Sequence, residues 1–376
     1  MAIKVLSIFG TRPECIKMAP VIKKLKQEPR IESRVCVTAQ HRYMLDQILD
    51  LSQIKPDVDL NIMMDNQGLT EVGAAILSEL KPVLEEYQPD LVLIQGDTST
   101  TFFAALSAFY RQVPVGHVEA GLRTGDMSAP WPEEMNRRVA SMLAGLHFAP
   151  TEQSRDNLLL EGIEPESILV TGNTVIDTLL DAVQLIDNSP QLLSKFKEQF
   201  SFLEPYRRTL LVTGHRRESF GKRFEDICYA LLEISRREDV QIVYPVHLNP
   251  NVQRPVKRIL GDAQNVHLIG PLDYLPFVYL MRESFLILTD SGGVQEEAPS
   301  LDKPILVMRE RTERPEGVAA ETAKLVGTST ERIVEEISLL LDAQDEYEKM
   351  ARAQNPYGDG HASERIVKRI IDEFAI

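Results

Sequence analysis

Short apolar runs rich in β-branched residues recur along the chain, separated by longer stretches of amphipathic periodicity. KVLSIF (4–9), RVCVTA (34–39), LVLIQG (91–96), VPVGHV (113–118), GLHFAP (145–150) and ILVTG (168–172) are nearly continuous in apolar residues, as strands buried on both faces must be. Between them, residues 69–86 and 98–111 have helical length and period. After a polar stretch around 188–208 the alternation restarts with TLLVTG, VQIVYPV, VHLIGP, FLILTD and PILVM. Alternation of this kind predicts βαβ units wound into parallel sheets, so the expected class is α/β. The pattern gives two Rossmann-like halves joined near 173–208. The expected organisation is 1–172 for the first domain, 173–355 for the second, and a tail, 356–376. Before that tail a helical stretch over 329–353 gives way to the turn cluster NPYGDG, and then to ASERIVKRIIDEF. Ile366, Ile370 and Ile371 share one face of this last helix, which therefore has to dock, and the first domain is the expected place.

Composition narrows the classes. A chain of 376 residues exceeds one ordinary core. A net charge of −15 argues against nucleic acid as partner, and no apolar run approaches the ~20 residues of a membrane span. Cys15, Cys36 and Cys228 are isolated, with no CxxC, which fits unlinked thiols in a reducing cytoplasm.

The candidate chemistry sits at strand ends. Asp97 closes LVLIQGD, Glu119 ends VGHVEA, and Glu133 and Glu134 lie in PWPEEMNR, after a long loop with the only tryptophan. A carboxylate at the mouth of a buried strand is costly unless paired or functional. Asp97 could also simply cap the helix that follows, and Glu133 and Glu134 could be first-turn acids favoured by the helix dipole. In GTRPE, Arg12 stands at a loop tip and Lys17 leans back from the next helical turn, so both could face one anion. The spacing is not a P-loop, and no GxGxxG follows a strand. In the second half, TGHRRES places His215 at a strand end beside Arg216 and Arg217, suited to a diphosphate. FLILTD runs into Ser291, Gly292 and Gly293, where backbone N–H groups can meet an anion, and Glu297 follows where it could accept from a ribose. A plain βα turn with a solvated Glu297 suits the same residues.

GTRPE, AQHR, GDTST, HVEAGLRTGD, PWPEEMNR, TGNTVIDT, TGHRRESFG, YPVHLNPNV, LTDSGGVQEEAPSL, RTERPE and NPYGDG, in this order over nearly the whole chain, resemble the bacterial non-hydrolysing UDP-N-acetylglucosamine 2-epimerases. The resemblance implies two domains facing across a cleft in the B-type glycosyltransferase fold, a homodimer, and interconversion of UDP-GlcNAc with UDP-ManNAc for cell-envelope polysaccharide. It implies no cofactor, neither NAD nor an essential metal, and elimination of UDP to 2-acetamidoglucal followed by re-addition. Carried over by motif, Arg12 and Lys17 would contact substrate, and Asp97, Glu119 and Glu133 would do the proton chemistry with His215 assisting at the diphosphate. Leu272 and Phe277 would face uracil; Ser291, Gly292, Gly293 and Arg314 would hold phosphate; and Glu297 would hold ribose. Gln40, His41, Arg42 and His247 match a second, activating UDP-GlcNAc site. The competing readings are a nucleotide-sugar glycosyltransferase, a hydrolysing epimerase, and an inactive nucleotide-sugar sensor. A sensor would need the cradle but not the acids.

Overall fold

The computed structural model describes residues 2–39, 42–63 and 67–374. Two parallel sheets carry the chain. The first contains β1 (Ile3–Phe9), β2 (Ile31–Val37), β3 (Val58–Asp59), β4 (Leu91–Gln95), β5 (Val115–Val118), β6 (Leu146–Ala149) and β7 (Ile168–Val170), in the order β3-β2-β1-β4-β5-β6-β7. The second contains β8 (Arg208–Thr213), β9 (Val240–Pro245), β10 (Val266–Ile269), β11 (Leu286–Thr289), β12 (Ile305–Val307) and β13 (Ala323–Leu325), in the order β10-β9-β8-β11-β12-β13. Every strand pair is parallel. Each order reverses once, between β1 and β4 in the first sheet and between β8 and β11 in the second. In open sheets of this kind, ligands bind outside the strand C-termini at such a reversal.

The chain divides into one unit of residues 1–178 with 357–376 and another of 179–356. Alternate residues of the second sheet feed cores on opposite faces. Leu210, Val212, Ile242 and Tyr244 pack to one side, and Leu211 and Val243 to the other. In the first unit, Leu6, Ile8, Val92 and Ile94 pack against the helix Leu69–Tyr87 through Ile76, Leu80 and Leu84.

Three details depart from the sequence pattern. The edge strands β3 and β13 have two and three residues, too few for periodicity to mark. The polar stretch after residue 188 is not an open connection: it holds the helix Pro190–Gln199, whose Phe196 is buried with Phe200 in the second core. The helical stretch 329–353 breaks at Ala343, which is extended between Thr330–Asp342 and Gln344–Ala351. The last helix, Ala362–Phe374, buries Ile366, Ile370 and Ile371 and packs on Arg12–Gln27, where Lys24 pairs with Glu364 at 2.6 Å.

The loop 121–132 is held from below by one carboxylate. Glu134, in the first turn of Glu133–Leu143, is fully covered. It accepts from the Thr124 N–H at 3.1 Å, the Gly125 N–H at 3.3 Å and Arg138 Nε at 3.0 Å, with Arg137 at 3.4 Å. Arg123 ties the start of the loop to Ser141 and Glu161. Trp131 remains two-thirds exposed at the far end. Burial pushes the Glu134 carboxyl up, but these donors outweigh it and hold it below the usual carboxylate range.

Cutting Glu134 to alanine strands two amide donors and a guanidinium, so it should cost about 3–5 kcal/mol of unfolding free energy in urea titrations. Glu133→Gln, one residue away, should stay within about 0.5 kcal/mol of the parent. Because the folded-state pKa of Glu134 is depressed, its contribution is complete above the ordinary carboxylate range and lost as pH falls through the folded value. The acid limb of stability should therefore flatten in Glu134→Gln. All three cysteines are free and buried, and burial raises Cys36 and Cys228 to about 12 and Cys15 higher still. A thiol reagent should titrate none of them in the native protein and all three in denaturant.

Candidate active site

Three strands of the first sheet end at its reversal. β1 leads into Gly10-Thr11-Arg12, β4 into Gly96-Asp97, and β5 into Glu119. Buried Glu14 joins the first two loops. It accepts from the N–H groups of Gly10 and Thr11, and from the hydroxyls of Thr11 and Thr98 at 2.7 Å each. Thr11 and Glu14 form a capping box that starts the helix Arg12–Gln27, and Glu14 also reaches Thr98 on the second loop.

Glu119 carries the centre. Its backbone is left-handed, with φ +64, a conformation costing a non-glycine residue roughly 1–3 kcal/mol. The turn aims a side chain that is only 8 % exposed back across the strand ends. There Glu119 accepts from Lys17 Nζ, Gln95 Nε2 and, at 3.3 Å, Asn173 Nδ2. Lys17 thus faces the Glu119 carboxylate. The pairing offsets the cost of burying both charges.

Asp97 does not cap the helix after it. The cap of Ser99–Phe109 is Thr98, whose hydroxyl accepts from the Thr101 N–H at 3.2 Å. Asp97 instead takes the Arg137 guanidinium on its side chain and Asn136 Nδ2 on its carbonyl at 2.9 Å. Burial raises the Asp97 carboxyl, Arg137 opposes that shift, and neighbouring Glu119 adds to it. Glu133, Asn136 and Arg137 are spaced i, i+3, i+4, one face of one helix. The adjacent acids therefore divide: Glu134 anchors the loop, while the half-buried Glu133 carboxylate has no partner among the described residues. Arg12 is likewise half-buried, with no ion pair among them. Buried His117 bonds the Gly96 carbonyl through Nε2 at 2.7 Å, and burial pushes it down to about 3, so it stays neutral.

The reversal of the second sheet assembles the other set. Asp290, at the end of β11, accepts from the N–H groups of His215 and Arg216 at 2.7 Å each and so folds the GHRR turn back over the sheet. Asp290 itself is buried and structural. The His215 ring stacks on His247 at 5.3 Å. Burial chiefly lowers the His215 pKa, Asp290 opposes, and His247 and Arg216 reinforce, so the ring favours its neutral form. A side chain added at Gly292 or Gly293 would meet nothing closer than 3.9 Å. No packing inside the unit therefore demands glycine there, and the bare backbone is open to a ligand. Arg314 lies over Gly292 and is anchored through Nε on buried Glu296. Glu297 accepts from Tyr274 at 2.8 Å. Leu272 and Phe277 are half-buried against the core beside Tyr274. His247 is exposed, its Nδ1 accepting from the Asn249 N–H. Gln40 and His41 lie outside the described residues, as does the Arg42 side chain. Gln95, Asn136, Arg137 and Asn173 went unnoticed in the sequence, because amides and arginines on separate elements carry no local signature.

Among the described residues no cluster of His, Cys, Asp and Glu is arranged to hold a metal ion, and no helix is long and apolar enough to cross a membrane. The family model for UDP-N-acetylglucosamine 2-epimerase matches residues 23–371. The UDP-N-acetylglucosamine 2-epimerase of Escherichia coli K12 is 58 % identical over 98 % of both chains. Among solved structures, the UDP-GlcNAc 2-epimerase of Neisseria meningitidis bound to UDP-GlcNAc superposes with a TM-score of 0.91, at 52 % identity over 98 % of this chain and all of that one. The Methanocaldococcus jannaschii enzyme in complex with UDP-GlcNAc and UDP gives 0.81, at 33 % identity and 98 % and 100 % coverage. With two wound parallel sheets, acids at one reversal and an open glycine turn at the other, the chain belongs to the UDP-N-acetylglucosamine 2-epimerase family.

Proposed function

We propose that the chain interconverts UDP-GlcNAc and UDP-ManNAc by inverting C2 of the sugar. The observation that carries this reading is Glu119: a buried carboxylate in strained backbone, held by Lys17, Gln95 and Asn173, and near enough to Asp97 to raise that carboxyl. Such an investment is expected where a proton must be moved at one place. C2 carries an acetamido group and adjoins no carbonyl, so its proton is lost only together with the anomeric diphosphate. One carboxylate takes the C2 proton, the C–H pair becomes the C1–C2 double bond of 2-acetamidoglucal, and the C1–O pair leaves with UDP. UDP oxygen then re-adds at C1 while an acid delivers a proton to the opposite face of C2. Asp97, Glu119 and Glu133 are the groups for the proton steps, with Lys17 and Arg12 beside them. Ser291, Gly292, Gly293, Arg314 and His215 would stabilise the departing diphosphate, Glu297 would hold ribose and Leu272 and Phe277 the base.

A homodimer fits the exposed Phe109, Tyr110 and Met142, which sit on two helices that pack together. A second UDP-GlcNAc acting as activator would use Gln40, His41, Arg42 and His247. The buried free thiols suit a cytoplasmic protein.

Turnover in D₂O should place deuterium at C2 of the product, read by NMR, and long incubation should release some 2-acetamidoglucal and UDP. Product that keeps its original C2 hydrogen would rule out elimination. Alanine at Asp97, Glu119 or Glu133 should cut turnover about 10²–10⁴-fold while calorimetry shows UDP binding intact.

A further inference from the structure

The C-terminal segment makes contacts that a merely terminal helix does not need. After leaving the second unit, the chain returns to the first and fastens onto residues 171–177 at three points. The carbonyl of fully buried Tyr357 accepts from the Asn173 N–H at 2.7 Å. Arg365 Nη1 donates to the Thr171 carbonyl at 3.0 Å. Asp177 accepts from the Ala362 N–H at 3.2 Å, the Ser363 N–H at 2.8 Å and the Ser363 hydroxyl at 2.5 Å. Gly358, at φ +138, would be strained by any side chain, and an added Cβ would rest against the Asn173 nitrogen at 3.4 Å. On the other side, the Thr178 hydroxyl donates to the Ile16 carbonyl at 2.6 Å, beside Lys17.

At the centre of these ties stands Asn173, 3 % exposed. Its Oδ1 accepts from the Val175 N–H at 3.1 Å, which fixes which way the amide faces, and its Nδ2 is then directed at Glu119 Oε1, 3.3 Å away. We propose that Asn173 is a positioning residue for Glu119, and that the segment 357–365 holds it in place, so that the chain terminus sets the geometry of the proton-transfer centre. This rests on the reading of Glu119 as a catalytic group. Lys17 and Gln95 supply charge and a second donor from elements near the start of the sheet, and Asn173 is the donor whose backbone the distant terminus controls.

Asn173→Ser separates the two tasks of the amide. Serine still offers an oxygen to the Val175 N–H, so the helix start and the thermal midpoint should be kept, but it is too short to reach Glu119. The expected result is a kcat lower by about 10²-fold, with KM for UDP-GlcNAc and UDP affinity within twofold. Gly358→Ala touches neither substrate nor Glu119 and should lower kcat in smaller measure by displacing Asn173. In the Asn173→Ser background it should cost nothing further, since the contact it disturbs is already gone. Should Asn173→Ser fail to fold, Asn173→Asp keeps the cap oxygen while removing the donor, and should lose at least as much kcat. An Asn173→Ser enzyme with kcat within twofold of the parent, or a Gly358→Ala effect undiminished in the double variant, would overturn the proposal. Glu119→Gln serves as the control. If it is inactive while Asn173→Ser is not, only the positioning role fails. If it turns over normally, the assignment of Glu119 itself falls, and the proposal with it.

Discussion

A carboxylate at the mouth of a parallel sheet has to be neutralised where it stands, and much of the first unit follows from this constraint. Taking an ion out of water costs several kcal/mol even after relaxation. Glu119 meets that cost with Lys17 from the first helix, Gln95 from the neighbouring strand and Asn173 from the far edge of the sheet. Asp97 meets it with Arg137, and Glu14 with amide and hydroxyl donors that include both loops. Each solution joins elements distant in sequence. The buried acids are therefore the reason the loops carrying them have one arrangement.

The second unit solves a related problem with the opposite sign. Asp290 is spent internally, pinning the amides of His215 and Arg216 so that the turn presents its side chains outward. Arg314 is steadied by Glu296, leaving the rest of its guanidinium over the glycine turn. The basic groups at this reversal have their own counter-charges behind them. That arrangement keeps a basic island stable in a chain of net charge −15.

The strands, the α/β class and the strand-end position of the acids were legible in the sequence because buried parallel strands are nearly uninterrupted apolar runs. β3 and β13 were not, because two or three edge residues have no period. The helix Pro190–Gln199 hid behind polar neighbours while its buried face rested on Phe196 and Phe200. At the site, residue type pointed to Glu119, Asp97 and His215, but adjacency cannot separate Glu133 from Glu134. One helical step of 100° turns one acid under a loop and leaves the other without a partner among the described residues. Lys17 was expected to face an anionic ligand and was found on Glu119, because only the fold shows that β5 ends beside the first helix.

The loop clamped by Glu134 ends at Trp131, the chain's single tryptophan, which stands mostly in solvent beside the cis Trp131–Pro132 bond. Indole emission depends on the polarity around the ring, so fluorescence excited beyond the absorption of the ten tyrosines reports on one loop next to Glu133. The molecule carries its own optical probe of that loop, with no label to introduce and no second fluorophore of its kind to subtract.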